Sequence, residues 1–385
     1  MASATKRGPG KWLGRYRGPD GRERTRTFQT KGEATAWAQQ QELRMRSNDW
    51  TDPSRGRVTL DDFAPLWFDS LNVKPKTLAG YRSLYDTHIG PRFGKVRLDR
   101  LAYPDIKGWV SRLTVAPAKG AASATQRRAM SAGRKKQAYQ VLCSILDLAV
   151  EDGRLSRNPA KSAAGSTKGM VPRAPKNRTH VYLTHAQVHA LAGHMGDSRV
   201  LFLVLAYGGL RWSEASALRL RDVDLLRARL HVRQTFSEIG GKLTVSTPKN
   251  HATRSVPIPA FVVSELEAQM TGKGPDDLIF SAPNGGPWSN SNFRARRYAP
   301  ALKAVGLEGL RIHDLRHTAA SLAVQSGANV KAVQRMLGHS TAAMTLDVYA
   351  DLFDDDLDQV AERLNVAALQ ALAVGGVAVS RFPGS

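Results

Sequence analysis

Two short early stretches, KWLGRYR and RERTRTF, read as strand candidates joined by the strong turn signal GPDG. Thr30 and Glu33 then form a capping-box pattern that opens a helix running to about Arg46. Strand, strand, helix makes one small unit over residues 1–55. Between 58 and 160 the apolar spacing becomes helical. Thr59 caps LDDFAPLWFDSL, KTLAGYRSLYDTHI and PDIKGWVSRL follow, and a long helix spans roughly Ser131 to Asp152. Gly153 and the Arg157-Asn158-Pro159 break end it. Residues 161–178, KSAAGSTKGMVPRAPKNR, carry almost no large apolar side chain and have the composition of a linker.

The largest region runs from 179 to 360. Thr184 opens the helix LTHAQVHALAGHM, and the apolar run RVLFLVLAYGGL reads as a buried helix stopped by Gly208 and Gly209. WSEASALRL is expected to be a further helix with Glu214 in its first turn. RLHVRQTF, KLTVSTPK and TRSVPIP alternate like short antiparallel strands, with Lys249 and Asn250 at the turn between the last two. Helices resume at Ser289. The tail, 361–385, continues an amphipathic pattern that starts acidic at Asp354, favourable at a helix N-terminus. The expected fold class is multidomain, mainly α with small β-sheets.

Charge changes the picture. The chain has 385 residues and a formal net charge of +23, from 56 Lys plus Arg against 33 Asp plus Glu. Such an excess repels itself in the compact state, and a polyanion offsets it, nucleic acid above all because neutralised phosphates release counterions. Arg15, Arg17, Arg22, Arg24 and Arg26 lie on or beside the two strand candidates; alternate strand residues share a face, and a two-stranded ribbon fits a major groove. A solvated charged hairpin is the plain alternative. Arg127, Arg128, Arg134, Lys135 and Lys136 crowd the approach to the long helix, suited to phosphate contacts or to a solvated helix end. Cys143, in the apolar pattern VLCSILDLAV, is the single cysteine, so no disulfide or thiolate metal site forms within one chain. The N-terminus has no apolar signal region and no run approaches membrane length, which predicts a soluble, cytoplasmic protein.

The segment RIHDLRHTAASLAVQSGANVKAVQRMLGHSTAAMTLDVY carries His313, Arg316, His339 and Tyr349, with Arg211 upstream in AYGGLRWSEASALRL. Two imidazoles, two guanidiniums and a phenol suit attack on a phosphodiester by a side-chain hydroxyl. Arg211 and Arg316 would clamp the non-bridging oxygens, since guanidinium donates in a planar fork and stays charged. His313 and Arg316, three apart, share a helix face, whereas Asp314 and His317 are expected to point elsewhere. His339 follows Gly338, where a helix should end, and Tyr349 lies on the next helix. Lys249 is the candidate general acid for the leaving oxygen. Singly, each residue has a duller role: a cap, a surface lysine, a buried histidine, a core aromatic. The spacing of the set shows no metal-ligand pattern.

Taken in order, Gly209-Leu210-Arg211 with Glu214, Thr247-Pro248-Lys249, His313-Asp314-Leu315-Arg316-His317-Thr318, Leu337-Gly338-His339-Ser340 and Tyr349 resemble the tyrosine recombinases of the phage integrase family. The resemblance implies catalytic residues Arg211, Lys249, His313, Arg316, His339 and the nucleophile Tyr349, supported by Glu214, Asp314 and His317. It implies an arm-site-binding N-terminal ββ(β)α module, a helical core-site-binding domain and an α+β catalytic domain. The expected reaction is integration, and excision, of a phage or mobile element through a 3′-phosphotyrosine, with no cofactor and no metal. The expected partners are double-stranded DNA attachment sites and three further copies of the chain in a synaptic tetramer formed from free monomers. An excisionase and a host DNA-bending protein are further candidate partners, no membrane is involved, and the place of action is the nucleoid of a bacterial host. Two features depart from the family pattern. LDVYADLFDDDLD surrounds Tyr349 with carboxylates, of which Asp347 and Asp351 are expected to face away from the phosphate, and the interval from His339 to Tyr349 is one residue longer than in many members. A type IB topoisomerase-like activity, a non-enzymatic DNA-binding protein on an inactive scaffold, and a conjugative-element recombinase are the competing readings.

Overall fold

A computed structural model describes residues 2–47, 50, 52, 54–115, 128–171, 181–247, 253–349 and 356–373, and the chain divides into two compact units, 1–177 and 178–385. The first unit begins with a three-stranded antiparallel sheet in the order β1 (Ser3–Gly8), β2 (Lys11–Arg17), β3 (Glu23–Phe28). The strand Ser3–Gly8 has no apolar alternation, so its sequence carries no strand signal; its ladder to β2 creates it. The helix Lys31–Arg46 starts on the Thr30–Glu33 capping box. It packs on the sheet through Ala34, Ala38 and Trp37, and a Cβ at Gly14 would come within 2.6 Å of the Ala34 carbonyl, so only glycine allows this approach.

The remainder of the first unit is a helical bundle. Its main helices are Leu60–Ser70, Pro75–Leu84, Tyr103–Arg112 and Ala132–Glu151, capped by Thr59, by Pro75 at the first position, by Pro104 in the first turn and by Ser131. Phe63, Trp67, Phe93, Ile106, Trp109, Leu142 and Ile145 form its core, and Cys143 is buried there.

In the second unit the helix Arg199–Gly208 is buried along almost its whole length and packs against Asp314–Gln325. These two form the centre of a core that also takes in Leu230, Val232 and Val256 from a three-stranded sheet of Val223–Asp224, Arg229–Val232 and Arg254–Pro257. RLHVRQTF, expected as one strand, is two: Arg229–Val232 joins that sheet, and Thr235–Ile239 pairs with Lys242–Ser246 in a separate hairpin. The helix expected over WSEASALRL is one turn, Trp212–Ala215. Arg219 is extended (φ −110°, ψ 164°) and bridges Leu278, while Ile279 donates to the Leu218 carbonyl, so a tertiary ladder draws the chain out of the helix. The last helix is Asp356–Ala373, on which Leu364, Leu369 and Leu372 are exposed. Among the described residues no helix is long and apolar enough to cross a membrane.

Candidate active site

Arg316 lies between two helix ends. Its Nη1 donates to the Gly209 carbonyl at 2.7 Å and its Nη2 to the Leu337 carbonyl at 2.5 Å. Both acceptors sit at helix C-termini, where unsatisfied carbonyls and the macrodipole concentrate negative potential. That potential lets a guanidinium stay charged at 3% exposure, although burial first, then the charges of Arg211 and Arg254, bring it down to about 9. Two of the five N–H groups of the guanidinium are thereby fixed. Both helix ends are built on glycine in the left-handed region. Gly209 has φ +63°, and a Cβ there would meet Leu337 at 2.8 Å; Gly338 has φ +68°, and a Cβ would meet Arg254 at 2.8 Å.

Arg211 follows Gly209 directly and takes the cap position of Trp212–Ala215. Its backbone N–H and its Nη1 donate to Glu214 at 2.8 and 2.9 Å. Arg254, which the sequence analysis passed over, grips the same carboxylate through Nη1 and Nη2 at 3.0 and 2.6 Å, and its Nε donates to the Met336 carbonyl at 3.0 Å. Burial alone would raise the Glu214 carboxyl, but hydrogen bonds and charge from Arg254, then Arg211, outweigh it and hold it at about 2. One buried carboxylate therefore orients two guanidiniums beside a third. A signal for Arg254 was present: it shares the inward strand face with buried Val256, an improbable place for a cation without a partner.

His339 stands just past the Gly338 turn. Its Nδ1 meets the Thr345 hydroxyl at 3.0 Å, tying the turn to the helix Ala342–Tyr349, and its carbonyl accepts from Gln334 Nε2. Burial first, then Arg316, Arg211 and Arg254, lower it to about 4, so the ring is neutral at pH 7. His313 takes the N-cap position of Asp314–Gln325 with no capping bond from its side chain, and desolvation with the charge of Arg316 lowers it as well. Buried Asp314 anchors this turn by accepting from the Arg311 backbone at 2.9 Å and from its side chain. The charges of Arg211 and Arg316 thus both act on His313 and on His339.

Tyr349 ends the helix Ala342–Tyr349 at 1% exposure, packed with Ala320, Val324, Val333 and Leu337. Burial pushes the phenol up to about 12, with Arg316 pulling the other way and Tyr182 adding to the rise. Its hydroxyl lies 2.8 Å from Nδ1 of His317. The expectation that His317 points elsewhere is corrected here: residues 313 and 317 are one turn apart, and their rings meet edge to face at 5.2 Å on the side facing the phenol. Asp347 is exposed; Asp351, like Lys249, lies outside the described residues.

The basic residues divide. Direct pairing of Gly14 with Arg26 and Tyr16 with Arg24 puts Arg24 and Arg26 on the helix-packed face of the sheet, while Arg15 and Arg17 lie on the open one. Arg24 is held by Asp20 and by Asp52 (2.7 and 2.9 Å) over the Trp50 ring, and Arg15 lies 3.7 Å from Glu23. Arg17 and Arg26 are exposed. On the long helix, Lys136 is exposed, Arg134 donates to Gln137, and Lys135 is buried with Nζ 2.5 Å from the Ser111 carbonyl. Three consecutive helical positions sweep about 200°, too wide an arc to share one narrow face, and here the middle one turns inward. Lys135 is therefore removed from the expected DNA contacts. Arg128 is exposed and Arg127 lies outside the described residues. Among the described residues no group of three or more His, Cys, Asp or Glu side chains is arranged to hold a metal ion.

Residues 181–355 match the model of the phage integrase family, and residues 59–114 match its N-terminal SAM-like domain, together more than half of the chain. The integrase of Mycobacterium phage D29 is 28% identical over 86% of this chain and 85% of its own. The fold is similar to that of the Tn1549 transposon integrase in complex with transposon right end DNA (TM-score 0.64, 21% identity, 79% of this chain and 100% of that one). It is also similar to a lambda integrase tetramer bound to a Holliday junction (TM-score 0.53, 19% identity, 88% and 96%). The chain belongs to the phage integrase family of tyrosine recombinases.

Proposed function

We propose that this chain integrates, and excises, a phage or related mobile element by cutting and rejoining DNA at specific sites through a 3′-phosphotyrosine on Tyr349. The observation that carries the reading is the place of Arg316, which donates to the carbonyl of Gly209, two residues before Arg211, and to that of Leu337, two residues before His339, with His313 at the start of its own helix. Arg211 and Arg316 hold the two non-bridging oxygens of the scissile phosphate. His313 and His339, neutral and donating, stabilise the charge that develops in the transition state. Lys249 protonates the departing 5′ oxygen. Glu214 and Asp314 position Arg211 and the His313 turn. Each step exchanges one phosphodiester for another, so bond energy is conserved and the chemistry itself calls for neither a nucleotide nor a metal.

Each strand exchange leaves a free 5′ hydroxyl that attacks the phosphotyrosine of a partner duplex, and two rounds pass through a four-way junction. A tetramer is the assembly this requires, and the likeness to a lambda integrase tetramer bound to a Holliday junction supports it. The sheet module over 1–55 takes arm sites through its open face, where Arg15 and Arg17 lie, and the helical region over 58–160 takes core sites, the stretch 161–178 linking it to the catalytic region over 179–360. An excisionase and a host DNA-bending protein are the accessory partners this scheme has room for, in the cytoplasm of a bacterial host at its nucleoid. Incubation with a nicked duplex tests the reading: the wild type forms a covalent adduct stable to detergent in excess chelator, and Tyr349→Phe forms none while still binding DNA. Strict dependence on added divalent metal contradicts it.

A further inference from the structure

Deepening that reading, on which it rests, we propose that His317 is the base that takes the proton of Tyr349 during cleavage and returns it during rejoining. Three observations carry the assignment. The phenol oxygen lies 2.8 Å from His317 Nδ1, the distance of a formed hydrogen bond. The tyrosine is 1% exposed, so bulk water has little access to its hydroxyl proton. Burial also pushes the phenol up to about 12, far from ionisation at neutral pH, and a buried phenol of that kind reacts only if a neighbour accepts its proton as it attacks.

The helix Asp314–Gln325 makes the placement rigid. His317 sits one turn beyond His313, the two rings are edge to face at 5.2 Å, and the His317 and Tyr349 rings lie 5.6 Å apart. Asp314, three residues earlier on the same helix, lies close enough to His317 for the charge of His317 to act on its carboxyl. Arg316, adjacent in sequence, pulls the phenol the other way, toward phenolate. The nucleophile thus has a proton acceptor within hydrogen-bond distance and feels the charge of Arg316.

The step balances. The bond from Tyr349 Oη to phosphorus forms, the bond from phosphorus to the 5′ oxygen breaks, the phenolic proton passes to His317 Nδ1, and the departing oxygen takes its proton from the general acid. Rejoining reverses each transfer. His313 is left to donate to the phosphate, so the two histidines of this helix divide the work.

The test uses the full chain and nicked duplexes with a randomised core, from which the wild type captures its own substrate as a detergent-stable adduct. Single-turnover adduct formation is then compared for His317→Ala and His317→Asn, with thermal unfolding as the check on folding. Asparagine keeps a hydrogen-bonding group near the phenol but has no basic nitrogen. Both variants should slow adduct formation by about 10²-fold or more, the usual worth of a positioned base, with DNA binding unchanged. Added imidazole should restore part of the rate to His317→Ala and none to Tyr349→Phe. His317→Asn at the wild-type rate would overturn the base assignment, and so would either variant reacting faster than wild type, because the contact would then be a restraint on the tyrosine. Capture by Tyr349→Phe, or no capture by the wild type, would instead bring down the recombinase reading itself and this inference with it.

Discussion

Arg254 closes on Glu214 through both terminal nitrogens, at 3.0 and 2.6 Å, with the carboxylate 1% exposed. The carboxylate is shared with Arg211, so its removal leaves two guanidiniums packed beside Arg316 without the anion that both of them grip. Glu214→Ala should therefore destabilise the chain by about 3–5 kcal/mol, the usual cost of breaking a buried pair from one side. Because the folded carboxyl is held at about 2, below its unfolded value, its contribution is complete above roughly pH 4.5 and is lost as pH falls toward 2. Denaturant unfolding across that range should show Glu214→Gln less acid-sensitive than the wild type.

Arg316→Lys keeps a positive charge but cannot span the Gly209 and Leu337 carbonyls, which its guanidinium bridges at 2.7 and 2.5 Å. Adduct formation should fall by about 10²–10³-fold, as for loss of one preorganised donor. The melting temperature should fall as well, since two helix-end carbonyls lose their partner. Single-turnover cleavage with a parallel thermal scan measures both.

Exposed Arg17 and buried Lys135 should separate DNA contact from folding. Arg17→Ala should weaken DNA binding and reduce the slope of log affinity against log salt by about 1. Lys135→Ala should leave that slope unchanged and lower stability, because its ammonium donates to the Ser111 carbonyl. Binding titrations at several salt concentrations, with unfolding curves for both variants, decide this.

The helix Asp356–Ala373 carries exposed Leu364, Leu369 and Leu372. If it couples cleavage to assembly by packing on a neighbouring protomer, removal of residues 356–385 should weaken synapsis more than binding of one protomer to one site. Native gels of single and paired sites compare the two; normal recombination by the truncated chain would eliminate the idea.

Local signals were legible in the sequence wherever the cause is local. Thr30, Thr59, Ser131 and Thr184 each cap the helix expected of them, and Gly209 and Gly338 each end one in the left-handed region. What was missed depends on distant partners. Ser3–Gly8 is a strand because β2 lies beside it, not because of its own pattern. Trp212–Ala215 stops after one turn because Leu218 and Arg219 are claimed by residues near 278. The direction of His317 followed from a one-turn interval that was legible but not used, and Arg254 from its inward place on a strand. The guanidiniums of the sheet module divide between two faces because direct cross-strand pairing, which needs the register, decides which share one.

The central claim is that one phenol takes the DNA. Digestion of the detergent-stable adduct and mass mapping of the DNA-linked peptide tests it most directly. The phosphate should be found on Tyr349, joined to a 3′ end with a free 5′ hydroxyl opposite. A linkage on any other side chain, or a 5′ phosphate on the protein, would contradict the account.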